Sequence, residues 1–235
     1  MTPERYQRIR NMLAKRQTDL TVCLENVHKP HNVSAVVRTC DAIGIHKVHA
    51  IWESRYGIRR GTAMGSERWV GLDTHQNVGD AIRALKANNM QVLVTHLSDE
   101  AVDFREVDYT RPTAILFGQE KYGATDEAIA LCDKEIVIPM VGMVQSLNVS
   151  VAAALVLYEA QRQRQNAGMY QIQQLTEAEC QRILFEGGYP VLAKVCRSRD
   201  LPYPVIDDRG QIAADDAWWA KMDINTSAFK SLLNA

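Results

Sequence analysis

Three short segments set polar residues directly beside apolar runs, each where a predicted strand ends. They are residues 32–38, with Asn32 and Arg38; residues 118–120, with Gly118 and Glu120; and residues 146–148, with Ser146 and Asn148. Buried polar groups need partners, so three such clusters meeting at one sheet end would satisfy one another or a ligand. Arg38 stands inside the apolar run VSAVVRT (33–39) and admits two readings. Its aliphatic stem snorkels past core residues, or its planar fork, positioned by Asn32, reaches a phosphate. Glu120 is a carboxylate at a helix start or a member of a site. Ser146 and Asn148 are helix caps or site groups. His28/His31 and His46/His49 each give an H-x-x-H pair, but no thiol or acid completes a metal site, so no metal is expected. The chain has no G-x-G-x-x-G after its first strand, no G-x-x-x-x-G-K-[ST] and no G-x-S-x-G. That removes the ordinary dinucleotide, nucleotide-triphosphate and hydrolase chemistries.

The elements that must position these residues centre on residues 136–159. A β-branched run at 136–138 is the end of a buried strand, and Pro139, lacking a donor, stops the ladder. A loop with Gly142, Met140 and Met143 follows. The helix that starts at Val149 is apolar on nearly every side as far as Tyr158, and is expected to be buried all round. Ligands of parallel α/β sheets sit outside strand carboxyl ends, so the ligand is placed here. Along the rest of the chain the pattern predicts an amphipathic basic helix over 4–16 and strands at 20–24, 48–52, 91–95 and 113–117. It predicts helices over 33–43 (capped by Asn32 or Ser34 and ended by Gly44), 78–86 and 126–131. The Gly- and Arg-rich stretch 53–65 is expected to be mobile. Residues 175–186 and 189–197 read as helices, 201–206 as extended chain, and the end of the chain as a mixed polar run beside Trp218 and Trp219. Strands alternating with helices indicate an α/β fold with a mainly parallel sheet.

Bulk properties set the limits. The 235 residues are 46% hydrophobic and 23% charged, ordinary values for one substantial core. No run is long and apolar enough for a membrane span or a signal peptide, so a soluble, cytoplasmic protein is expected. Five dispersed cysteines argue for reduced thiols. The net charge of −1 does not advertise nucleic-acid binding. Basic residues nonetheless cluster: Arg5, Arg8, Arg10, Lys15 and Arg16; then Arg55, Arg59, Arg60 and Arg68; then Arg162, Arg164, Lys194, Arg197 and Arg199. Three such groups in one near-neutral chain make a polyanion partner worth testing.

Taken together, the segments NVSAVVRTCDAIG (32–44), ILFGQEKYG (115–123) and IPMVGMVQSLNVSVA (138–152) resemble the three motifs of the SPOUT class of RNA methyltransferases, and within it the TrmH family of tRNA 2′-O-methyltransferases. The similarity runs from Thr18 to Ala160. The basic N-terminal helix (1–17) and the tail (161–235), with FEGGYPVLAK at 185–194, look like the flanks of the tRNA-specific branch. The resemblance implies an α/β sheet with a C-terminal trefoil knot, a rare departure from unknotted topology. It also implies helical extensions at both ends and a homodimer. S-adenosyl-L-methionine would sit in loops following Thr95, Phe117 and Ile138, contacted by Thr95, Gly118, Ile138, Met140 and Leu147. Arg38, supported by Asn32, would activate the ribose hydroxyl of a D-loop guanosine in tRNA, while Glu120, Ser146 and Asn148 shape the pocket. A free guanidinium, with a pKa of about 12.5 or more, is a poor base. The implied arginine therefore acts either with its charge tied to phosphate or as an orienting group. A ribosomal RNA 2′-O-methyltransferase and a non-catalytic RNA-binding protein are the rival readings.

Overall fold

The computed structural model describes residues 1–51 and 68–222. The stretch 53–65, the last residue of the strand expected at 48–52, and Arg55, Arg59 and Arg60 lie outside the described residues. The chain forms two compact units, one of Arg16–Ile172 and one joining Met1–Lys15 to Gln173–Ala235. In chain order the elements are α1 (Pro3–Leu13), β1 (Leu20–Glu25), α2 (Pro30–Ile43), β2 (Lys47–Ile51), β3 (Gly71–His75), α3 (Val78–Ala87), β4 (Gln91–Thr95), β5 (Val102–Asp103), β6 (Thr113–Phe117), α4 (Asp126–Leu131), β7 (Lys134–Val137) and α5 (Val149–Asn166). The remainder are α6 (Glu177–Gly188), α7 (Pro190–Ser198), β8 (Val205–Ile206), β9 (Ile212–Ala213) and α8 (Asp216–Met222).

In the larger unit seven strands pair in parallel in the order β3-β2-β1-β6-β4-β7-β5. Strands β1 and β6 are buried at every residue. Both of their faces are covered, which is why they read as continuous apolar runs rather than as alternation. One face is covered by α2 and α5 around Val36, Cys40, Ala153 and Val156, the other by α3 and α4 around Ala81, Leu85 and Ala128. Because every strand of this sheet points the same way, its carboxyl ends gather on one edge.

Three expectations change here. The helix expected at 33–43 begins at Pro30, whose fixed φ suits the first helical position. Its N-cap is Lys29, with no side-chain cap, so Asn32 and Ser34 lie inside the helix and are buried rather than capping it. Helix α5 is not buried all round: Val151, Leu155 and Tyr158 are 48%, 43% and 53% exposed, at i, i+4 and i+7 on one stripe. Finally, two arginines grouped with the basic residues are core residues. Arg164 is wholly buried and donates to Tyr109 O, Gln17 Oε1, Asp19 O, Asp19 Oδ1 (2.5 Å) and Arg111 O. Arg16, equally buried, donates to Ile45 O (2.8 Å) and Asp41 Oδ1 (2.5 Å). Neither guanidinium is presented to a phosphate, which corrects the reading of Arg16 as an RNA contact.

In the smaller unit α1 buries Ile9 and Leu13 and is capped by Thr2, which accepts from Arg5 N. Helix α6 opens with a reciprocal Thr176/Glu179 capping box. Phe185 packs edge-on against Trp218 of α8, the helix that the polar run at the end of the chain concealed.

Candidate active site at the strand exits

The site begins where β6 ends. Gly118 follows Phe117, and a Cβ there would stand 2.1 Å from Ala124 N and from Gly123 C. Only glycine allows the chain to fold back on itself so closely. The return is made at Gly123, φ +73°, closing a short loop that carries Glu120. Helix α2 delivers Asn32 and the start of α5 delivers Asn148. Asn148 Oδ1 caps α5 by accepting from Ser150 N (2.9 Å), which fixes that amide's orientation. Its Nδ2 then donates to Asn32 Oδ1 (3.2 Å), and Asn32 Nδ2 donates to Glu120 Oε1 (2.7 Å). The chain of bonds has one direction and ends on an oxygen of Glu120, which accepts.

The electrostatics agree. Burial alone raises the pKa of Glu120. The Asn32 hydrogen bond, backbone bonds at Glu120 and His28, and the charge of Lys29 outweigh it and hold the carboxyl below its ordinary value of 4.5.

Beside this polar chain lies a cavity of about 340 Å³ at the exits of β4, β6 and β7. Small-molecule sites span roughly 300–1,000 Å³. Thr95, Gly118, Ile138, Met140 and Leu147, the five residues expected at the cofactor, all line it, and so do Glu120 and Ser146. The structure therefore sets seven of the expected site residues on one cavity; Asn148, expected to shape the pocket, does not line it, and joins it only through Asn32 and then Glu120. The Thr95 hydroxyl donates to Leu116 O (3.3 Å). Loop backbone at a glycine that admits no side chain, apolar Ile138, Met140 and Leu147, and a carboxylate at one end suit a cofactor with a flat base and a charged tail. Residues that the sequence reading missed include His96, Gln145 and Lys121 on the cavity wall; no motif spacing marked them.

Arg38 is placed differently. It is exposed on α2, forms no hydrogen bond or ion pair among the described residues, and does not line the cavity. Of the basic residues expected at RNA, Arg5 donates to Gly187 O (3.2 Å), Arg10 pairs with Glu177 (2.9 Å), and Arg8 and Lys15 are exposed. No group of three or more His, Cys, Asp or Glu side chains that could hold a metal occurs among the described residues. No described helix is long and apolar enough to cross a membrane.

The chain belongs to the SpoU methylase family. The SpoU rRNA Methylase family matches residues 19–158, and the SpoU, rRNA methylase, C-terminal family matches residues 162–215. The tRNA (guanosine(18)-2'-O)-methyltransferase of Escherichia coli (strain K12) is 64% identical over 225 residues, covering 94% of this chain and 98% of that protein. Among solved structures, the A. aeolicus TrmH/SpoU tRNA modifying enzyme superposes with a TM-score of 0.74 at 45% identity, over 80% of this chain and 96% of its own. The AdoMet-bound rRNA methyltransferase from Sinorhizobium meliloti gives 0.57 at 31% identity, over 63% of this chain and 57% of its own.

Proposed function

We propose that the chain is an S-adenosyl-L-methionine-dependent tRNA (guanosine(18)-2'-O)-methyltransferase acting on the ribose of a D-loop guanosine. The observation that carries the proposal is the double membership of Glu120, which closes the Asn32–Asn148 polar chain and also lines the cavity. A donor pocket and a polar acceptor surface thereby share one wall. The near end-to-end identity to the E. coli enzyme supports the choice of tRNA and of the guanosine ribose over ribosomal RNA.

When bound, the cofactor supplies a methyl group activated on a sulfonium. The chain's own residues do the rest. The backbone around Gly118 and the apolar side chains of Ile138, Met140 and Leu147 hold the pocket dry. Asn32, Glu120 and Asn148 fix three separate elements in one geometry, so that the acceptor oxygen can lie in line with the methyl. Glu120 keeps negative charge beside the donor site. Arg38, exposed and unpaired among the described residues, clamps the phosphate next to the target ribose and orients its hydroxyl. The proposed chemistry uses no metal ion.

The same reading extends to the architecture. The loops after β4, β6 and β7 converge on one cavity, the arrangement a trefoil knot would give. The exposed Val151–Leu155–Tyr158 stripe, with Val141 and Met143 fully exposed nearby in sequence, supports a homodimer formed through α5. Residues 18–160 carry the methyltransferase motifs within the larger unit, and the segments before Arg16 and after Ile172 are tRNA-binding extensions in which Arg5, Arg8, Arg10 and Lys15 face phosphates. The working compartment is the cytoplasm. Incubation with methyl-labelled cofactor and separate tRNA and ribosomal RNA pools tests the activity. Label is expected on tRNA; label on ribosomal RNA alone, or on neither, removes the assignment.

A further inference from the structure

Two residues beside the site have no part in the scheme above. The loop that carries Glu120 is closed by a reciprocal pair of backbone bonds, Gln119 N–H to Gly123 O (3.0 Å) and Gly123 N–H to Gln119 O (2.9 Å). Its tip is therefore Glu120, Lys121 and Tyr122 on a tightly tied turn. Glu120 turns inward to Asn32. Tyr122 turns outward and is 71% exposed. Lys121 lines the cavity mouth and sets its Nζ 4.7 Å from the centroid of the Tyr122 ring. An aromatic ring left in water forgoes the apolar burial that its area offers. A ring held there by a closed backbone turn, with a cation over its face, has the two components of a single-stranded nucleic-acid contact.

We propose that Tyr122 is a stacking platform for an unpaired nucleobase of the tRNA loop next to the ribose being methylated, with Lys121 bridging the ring to the adjacent phosphate. The proposal rests on the reading of the chain as a tRNA methyltransferase. Its geometry comes from the turn itself, since three consecutive side chains divide the substrate among them. Glu120 faces the reacting end, Lys121 the backbone and Tyr122 a base. RNA loops are recognised by splaying bases out onto aromatic side chains. Stacking is tolerant of base identity because every base has a π-face. Tyr122 thus holds the loop open at the cavity mouth without choosing its sequence.

The test compares Tyr122→Ala, Tyr122→Phe and Lys121→Met with the unaltered protein. Four quantities are read: tRNA Kd across a salt series, S-adenosyl-L-methionine Kd by calorimetry, kcat and KM, and oligomeric state. Tyr122→Ala should raise Kd and KM for tRNA roughly tenfold or more, leaving kcat and cofactor affinity within about twofold. Tyr122→Phe, which keeps the ring, should match the unaltered protein. Lys121→Met should lower the salt slope of tRNA binding by about one phosphate contact. A Tyr122→Ala protein with unchanged tRNA affinity overturns the platform. So does one that loses cofactor affinity, or one that falls apart into monomers, because the ring would then be shaping the pocket or an interface. Unaltered protein that binds tRNA without methylating it would remove the activity assignment and leave the platform standing. Unaltered protein that does not bind tRNA would remove both.

Discussion

At the scale of single residues, Arg38 and Asn32 hold opposite positions. Arg38 is exposed and has no partner among the described residues, so truncating it removes no packing. Arg38→Ala should abolish most methyl transfer while changing unfolding free energy by no more than about 0.5 kcal/mol, the usual range for a surface substitution. Arg38→Lys, which keeps charge but loses the planar fork, should be nearly as inactive. Kinetics beside denaturant melts decide it: full activity in the alanine variant ends the assignment. Asn32 is 2% exposed and both of its amide ends are bonded, so its substitutions act through stability as well. Asn32→Asp sets a second carboxylate against Glu120. Like charges at such a distance raise one pKa of the pair. A raised folded pKa means that the penalty is present at neutral pH and is relieved as pH falls through it. The variant should lose about 1–3 kcal/mol at pH 7 and recover towards the unaltered protein in mild acid. In the unaltered protein the Glu120 pKa is depressed, so its stabilisation is present above the ordinary 4.5 and fades only as pH falls below that value. Urea melts across pH measure both, and an Asn32→Asp deficit that does not shrink in acid contradicts the network.

At the scale of elements, what was legible in the sequence tracks burial. Strands β1 and β6 stand where the apolar runs place them, and α4 at 126–131 likewise, because local pattern alone determines them. Strand β3 was invisible: as an edge strand its GLDTH sequence is largely exposed and shows no apolar run. Strand β5, two residues long, carries too little pattern to see. Thr95, Gly118, Ile138, Met140 and Leu147, which line the cavity, are picked out in the sequence by motif resemblance, whereas the geometry that binds Asn32 to Glu120 spans 88 positions and leaves no local trace. The same blindness put Arg16 and Arg164 among surface cations. Their partners are acids and carbonyls distant in sequence, and charge spacing cannot tell a core arginine from an exposed one. Arg164→Met removes the buried side of an ion pair whose Asp19 carboxylate is partly exposed, and takes one donor from Gln17 Oε1 and from the carbonyls of Tyr109, Asp19 and Arg111. It should cost about 1–3 kcal/mol or more in denaturant unfolding through the buried carbonyls left short of a donor, a loss that a surface phosphate contact would not produce. The α5 stripe makes the complementary prediction: if the proposed homodimer forms through α5, Leu155→Arg should yield a folded monomer by sedimentation equilibrium where the unaltered protein is a dimer. A variant that remains dimeric places the interface elsewhere.

At the scale of the molecule, charge is arranged locally rather than in bulk. A chain of net charge −1 has no long-range attraction for a polyanion. Recognition of tRNA must therefore come from residues that face it; the burial of Arg16 and Arg164 removes those two from the set, and Arg5, Arg8, Arg10, Lys15, Arg38 and Lys121 are the members proposed above. The central claim is a single chemical outcome, the transfer of a methyl group to one ribose hydroxyl. Nucleoside mass spectrometry of a tRNA transcript treated with the protein and S-adenosyl-L-methionine, beside a transcript carrying 2′-deoxyguanosine at the D-loop position, tests it most directly. The expected result is 2′-O-methylguanosine from the D-loop of the first transcript and no methylation of the second. Methyl on a base, on another nucleoside, or on the deoxy transcript would contradict it.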